Sequence, residues 1–187
     1  MIRFFDIVIS ISALIFLSPI ILILILLIYK DLGSPFFLQE RIGKSKEPFT
    51  LVKFRTMKIN SPSVPTHHID PILITTMGKY LRVTKLDELP QLINVIKGEM
   101  SLVGPRPCLV NQHDLIRERE FANIFNVRPG ITGLAQINKI DMSDPKKLTE
   151  IDEEMIKNFN IRKYFFYIFK TALFGGFGDN ARKYISK

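Results

Sequence analysis

The sequence predicts a mixed α/β protein, mostly helical, held at a membrane by its N-terminal segment. Three observations lead there. From Ile7 to Tyr29 the chain runs 23 residues without a charge. Two strand-like runs, "FFLQERIG" and "FTLVKFRTM", follow, divided by a polar turn over residues 44–48. Beyond them apolar residues recur at helical spacing, as Leu89, Leu92, Ile93 and Ile96 do. A length of 187 residues suits one globular domain besides the apolar run, so the expected division is residues 1–30 and 31–187.

The apolar run would reach about 34 Å as a straight helix, enough for a bilayer core. A cleaved leader is disfavoured by its length and by the absence of a small-x-small site before Lys30. A buried core helix is disfavoured because soluble helices are rarely apolar all round. Pro19 stands near the middle; it removes a backbone donor and crowds the carbonyl of Ile15, so the helix is expected to bend or break at Ser18 and Pro19. Ser18 can hydrogen-bond a freed carbonyl, which matters where no water is present. Only Arg3 of the 26 Lys and Arg residues precedes the run. The positive-inside tendency leaves two geometries: a span with its N-terminus outside, or a bent helix that enters and leaves by one face. The central "LSPI" favours the second.

Between Arg41 and Lys58 six basic residues and one acid interleave with Phe49 and Phe54, a patch for anionic headgroups or a phosphate-bearing substrate. The net charge of +8 also admits a module that binds anionic lipid or nucleic acid and catalyses nothing. The single cysteine, Cys108, excludes an internal disulfide and a cysteine metal cluster. His67 and His68 lie in a Pro-rich polar stretch that reads as a loop. No phosphate-binding or dinucleotide-binding glycine loop is present.

In "RVTKLDELPQL", residues 82–92, Asp87 and Glu88 stand side by side with Arg82 and Lys85 before them and Pro90 after. Proline belongs in the first turn of a helix, so the expected helix has Asp87 as N-cap, Glu88 first, Pro90 third, and Lys97-Gly98 at its end. Free N–H groups and flanking cations there would keep Asp87 ionised, as a nucleophile or metal ligand must be. The pair suits a hard divalent ion such as Mg²⁺, which binds through one or two carboxylates plus substrate phosphates. Arg55, Arg82, Arg106 and Arg128 stand nearby in the chain, most of them in stiff Pro or Gly segments, and arginine grips phosphate in a bidentate fork. A helix from about Cys108 to Ala122 is expected to carry Asp114, Arg117, Glu118, Arg119 and Glu120 on its wet side. The C-terminal "LTEIDEEMIKNFNIRKYFFYIFKTALF" holds seven aromatic residues among Arg162, Lys163 and Lys170. Its aromatic stripe either lies in the membrane interface or packs on the core.

"KLDELPQLINVIKGEMSLVGPRP", with "KFRTM" before it and "VRPGITGLAQ" after it, resembles the bacterial sugar transferases, the monotopic phosphoglycosyl transferases. The likeness extends to "RFFDIVISISALIFLSPIILILILL" and "NFNIRKYFFYIFKTALF", and so to nearly the whole chain, in the manner of minimal catalytic-core members. It implies a monotopic protein whose re-entrant helix is broken at Ser18 and Pro19. Interfacial amphipathic helices would hold a cytoplasmic catalytic domain (31–187) on the bacterial inner membrane. It implies transfer of a sugar 1-phosphate from a UDP-sugar to polyprenol (undecaprenyl) phosphate with Mg²⁺. In this reaction Asp87 forms a covalent phosphosugar, UMP leaves, and Glu88 serves as base or helps hold the metal. Lys53, Arg55, Arg82, Arg106 and Arg128 would contact phosphate or nucleotide. Expected partners are the UDP-sugar, polyprenol phosphate, membrane lipid, further copies of the chain and downstream glycosyltransferases; nucleic acid is not among them. The products would be lipid-linked glycans of capsule, O-antigen or glycoprotein type. The chain departs from the family in having Leu134 where many relatives carry Trp. It also lacks an Asp-and-Tyr-rich run near 150–157, where Asp152 stands in "EIDEEMIKN". "NSPSVPTHHID" and "NQHDLI" are similar to members that use N-acetylated 6-deoxy amino sugars.

Overall fold

The computed structural model describes residues 1–59, 61 and 71–174. His67 and His68 lie outside the described residues.

Helix α1 (Ile2–Leu32) opens the chain and ends at Gly33, whose φ of 70° supplies the left-handed cap. It is helical throughout, with Pro19 inside it, so no gap in the helix marks Ser18 and Pro19, where a bend or break is expected from the sequence. The reason is local: Ser18 Oγ donates to the Ile15 carbonyl at 2.8 Å, replacing the bond that proline cannot make. Both ends of α1 are fastened to the rest of the fold. Near the start, Arg3 donates to the carbonyls of Val95 (2.6 Å) and Ile96 (2.9 Å), and Asp6 accepts from Ser101 Oγ, Leu102 N–H and Tyr164 O–H. Near the finish, Leu24 and Ile28 pack on Phe54 and Leu81. The middle, including Ile15 and Phe16, is exposed.

Strands β1 (Phe36–Ile42) and β2 (Pro48–Phe54) form the expected antiparallel hairpin, with Phe37 opposite Lys53, Gln39 opposite Leu51 and Arg41 opposite Phe49. Alternation puts these six residues on one face. Helix α2 (Thr76–Thr84) starts at Thr75, whose hydroxyl accepts from the Gly78 N–H. A 3₁₀ turn over Leu86–Glu88 and helix α3 (Gln91–Lys97) follow.

Here the expected helix start is corrected. Asp87 is no N-cap: Lys85, at φ 61°, turns the chain, Leu86–Glu88 form a separate turn, and Pro90 occupies the N-cap of α3. Pro90 has no N–H to carry the hydrogen-bond ladder from one piece to the next, and the packing of the turn on the hairpin decides for a separate turn over one longer helix. Gly98 ends α3 as expected, at φ 94°. The buried face of α3 is Leu92, Asn94 and Val95, while Ile93 is 39% exposed. Asn94 is buried because it ties the hairpin, accepting from Val52 N–H and donating to the Thr50 carbonyl.

Strand β3 (Ser101–Val103) pairs in parallel with β4 (Gly130–Thr132). Gly104 and Gly130 lie so close that a Cβ on Gly130 would fall on the Gly104 backbone nitrogen. Helix α4 (His113–Phe121) begins later than expected, because Leu109 bridges to Arg41 and its N–H bonds the Gln112 side chain. Arg119 is not on its wet side but buried. Helices α5 (Leu134–Ile137), α6 (Pro145–Lys157) and α7 (Ile161–Phe174) complete the fold. The aromatic stripe of α7 divides: Tyr164 and Tyr167 are buried in the main core, while Phe165, Phe166, Phe169 and Leu173 are exposed.

Candidate active site

The short turn carrying Asp87 and Glu88 is clamped between α2, α3 and the hairpin. Glu88 N–H bonds the Lys85 carbonyl at 3.1 Å, and Leu89 N–H bonds that of Leu86 at 3.3 Å. Both carboxylates are enclosed, 6% and 8% exposed. Glu88 Oε1 lies 3.6 Å from Arg106 Nη1 and 3.8 Å from Lys85 Nζ. Arg82 reaches in from α2, its Nε donating to Thr56 Oγ1 at 2.9 Å. Its Nη1 is buried without a hydrogen-bond partner, and so is Asp87 Oδ1. An acceptor and a donor left unpaired in one enclosure are a standing penalty in the free protein, relieved when a ligand brings an acidic oxygen and a cation.

Electrostatics differ from the expectation. Burial, then the neighbouring Glu88, push the Asp87 carboxyl up to about 6, against the pull of Lys53, Lys85 and Arg82. Lys53 is pushed down to about 8 by burial, then by Arg41, with Asp87 opposing. The expected effect of free N–H groups is outweighed because the turn is packed inside the fold, where desolvation is the larger effect. At neutral pH the carboxyl remains mainly ionised and the amine mainly charged.

The sequence-predicted residues separate in space. Lys53, Glu88 and Arg106 line one cleft, together with Arg41 and Gln91; Asp87 and Arg82 exert their fields on Lys53 there. Arg55 is not among the cleft residues. Its Nε and Nη2 donate to the carbonyls of Ser34 and Phe36, and its guanidinium lies 5.7 Å from the Phe37 ring, so it secures the foot of the hairpin. Arg128 donates from Nε to the Gly98 carbonyl at 2.7 Å and lines a different cavity of about 320 Å³, with Arg3. There it complements the C-terminal end of α3.

Gln91 escaped the sequence reading, and Arg41 entered it only as one end of a basic patch. Strand alternation held the signal for Arg41: Gln39 and Arg41 share the inward face with Lys53 and Leu51. Arg41 is fixed by Gln39 Oε1 and by the Pro107 carbonyl, 66 residues away.

Among the described residues no three His, Cys, Asp or Glu side chains converge as a metal cage. Asp87 and Glu88 fit the looser demand of a hard divalent ion that completes its shell with phosphate oxygens and water, and the unpaired Asp87 Oδ1 is the natural ligand atom.

The sequence that builds this site is similar to several known proteins. The chain is 42% identical over 159 residues to the uncharacterised sugar transferase EpsL of Bacillus subtilis, covering 84% of this chain and 78% of that protein. It is 35% identical over 187 residues to the undecaprenyl-phosphate galactose phosphotransferase of Salmonella typhimurium, covering 91% of this chain and 39% of that one. It is 41% identical over 141 residues to the UDP-glucose:undecaprenyl-phosphate glucose-1-phosphate transferase of Klebsiella pneumoniae, covering 73% and 30%. The chain thus spans well under half the length of the last two. The model of the family described as "Bacterial sugar transferase" matches residues 1–175, the whole apolar helix, the carboxylate turn and α7 included, so the chain belongs to the bacterial sugar transferase family.

Proposed function

We propose that this protein transfers a sugar 1-phosphate from a UDP-sugar to polyprenol phosphate, with Asp87 as the nucleophile. The observation that carries the proposal is the buried, unpaired Asp87 Oδ1, set among Lys53, Lys85, Arg82 and Arg106. Relatives named as undecaprenyl-phosphate galactose, glucose and N-acetylgalactosamine phosphotransferases support it.

In the first displacement an Asp87 oxygen attacks the sugar-bearing phosphorus. A carboxyl–phosphorus bond forms, the pyrophosphate P–O bond breaks, and UMP leaves with that oxygen. In the second, an oxygen of polyprenol phosphate attacks the same phosphorus, breaking the Asp87 ester and giving polyprenyl diphosphate sugar. Glu88, beside Asp87 and 3.6 Å from Arg106, would take a proton from the incoming phosphate, and Arg106 would meet phosphate charge. Mg²⁺, held by Asp87 and Glu88, would neutralise phosphate charge.

Two displacements at one site require that site to meet both a soluble donor and a lipid. Both ends of α1 contact the same domain, whereas a spanning helix would carry one end about 30 Å away. That supports a re-entrant membrane segment (residues 1–30); the basic residues that follow it favour domain 31–187 on the cytoplasmic face of the bacterial inner membrane, and the exposed aromatic residues of α7 suit the headgroup layer.

The test is donor incubation without acceptor, using protein in lipid nanodiscs and a panel of UDP-sugars that includes N-acetylated 6-deoxy amino sugars. Mass spectrometry should find one phosphosugar on Asp87, and polyprenol phosphate should discharge it. An adduct on another side chain, or normal turnover by Asp87→Asn, refutes the assignment. Steeply salt-dependent lipid or nucleic-acid binding unaffected by Asp87→Asn, with no UMP release, would mark a non-catalytic basic module instead.

A further inference from the structure

The segment Pro105–Cys108 carries Arg106 to Glu88, and its backbone is held with unusual completeness. Four successive carbonyls each accept from another part of the fold: Pro105 from Gly130 N–H (2.9 Å), Arg106 from Arg119 Nη1 (2.7 Å), Pro107 from Arg41 Nη1 (2.8 Å), Cys108 from Ile42 N–H (3.0 Å). The second of these is different in kind. Arg119, on α4, is 2% exposed and its Nη2 lies 2.6 Å from Asp152 Oδ2 on α6, itself 1% exposed. So a buried ion pair is built behind the one carbonyl that belongs to the arginine facing the carboxylate turn.

We infer that Arg119 and Asp152 are positioning residues for Arg106, fixing the direction in which its guanidinium meets Glu88 and the substrate phosphate. The inference rests on the phosphotransfer reading above. Its physical basis is geometric. Pro107 already confines the Arg106 backbone to extended conformations, and a hydrogen bond to the Arg106 carbonyl selects one orientation among them. Stability alone does not account for the pair. Replacing a buried ion pair with well-packed apolar residues is often neutral or stabilising, because desolvating two charges offsets most of their attraction. What apolar residues do not supply is a donor aimed at a chosen oxygen.

The test uses that difference. The double variant Arg119→Met/Asp152→Leu, in full-length protein reconstituted in nanodiscs, removes the donor and leaves no unpaired charge. UMP release and unfolding are measured for it, for Arg106→Ala, and for the two combined. The double variant should unfold near the wild-type temperature, lose on the order of 100-fold in kcat, and show a smaller change in donor KM. Arg106→Ala should then lower kcat much less in the double-variant background than in wild type, because the misdirected arginine has little left to lose. A folded double variant with wild-type kcat, or an Arg106→Ala loss of equal size in both backgrounds, overturns the inference. If the double variant does not fold, Arg119→Lys keeps a charge for Asp152 without the fork, and the same comparison with Arg106→Ala decides. Absence of UMP release by the wild type itself would fail the phosphotransfer reading first, and the inference with it. UMP release with additive losses fails the inference alone.

Discussion

Replacing the proposed nucleophile should make the protein more stable. Asp87 titrates at about 6 in the fold against 3.8 for a free side chain. A carboxyl pushed up binds its proton more tightly when folded. The stabilising contribution of the protonated form is complete below 3.8 and is lost as pH rises through about 6. Above that, ionised Asp87 disfavours the fold by about 3 kcal/mol. An asparagine side chain in its place would have nearly the same shape and no charge, and would end the repulsion of Glu88. Part of the gain is returned, because Asp87 supports the charge of Lys53. The net expectation for Asp87→Asn at about pH 7.5 without divalent metal is a gain of about 1–3 kcal/mol, raising the unfolding midpoint by about 2–10 °C. The gain should be smaller by about 1 kcal/mol at about pH 5, where folded Asp87 is already mostly protonated. Far-UV circular dichroism of the detergent-solubilised protein measures it, in chelator and across pH. A variant equal to or weaker than wild type at every pH would mean that burial does not strain Asp87, and the electrostatic account of the site would fail.

Three further expectations follow from the same geometry. UMP release should rise with pH through about 6, as Asp87 ionises, and decline above about 8, as Lys53 loses its proton; Lys53→Met should abolish the alkaline decline, which a pH–rate profile reads directly. Gly130→Ala should drive β3 and β4 apart at Gly104, destabilising the fold by about 3 kcal/mol or more and lowering expression and the unfolding midpoint. Single cysteines introduced beside Met1 and at Lys187, in a Cys108→Ser background, should both be labelled from the cytoplasmic side, whereas labelling from opposite sides would rule out re-entry of α1.

Several parts of this fold are decided within a few residues of themselves, and those are the parts the sequence made legible. The apolar run, the hairpin and the Gly98 cap depend on local spacing and on one glycine's freedom at φ 94°. Even the repair at Pro19 was readable, since donor and acceptor are three residues apart. The carboxylate pair was visible because it is adjacent; its exact turn was not, because competition between a 3₁₀ turn and a longer helix was settled by packing against the hairpin. What the tertiary structure alone decided is where long charged side chains end. Arg55 and Arg128 bond carbonyls and do not line the cleft that holds Glu88, Arg41 enters that cleft, and Arg119 finds Asp152 33 residues away. The same holds for the proton affinity of Asp87. Local sequence lists which charges exist, but their strength depends on how much water the rest of the chain has displaced, and that is a property of the whole fold.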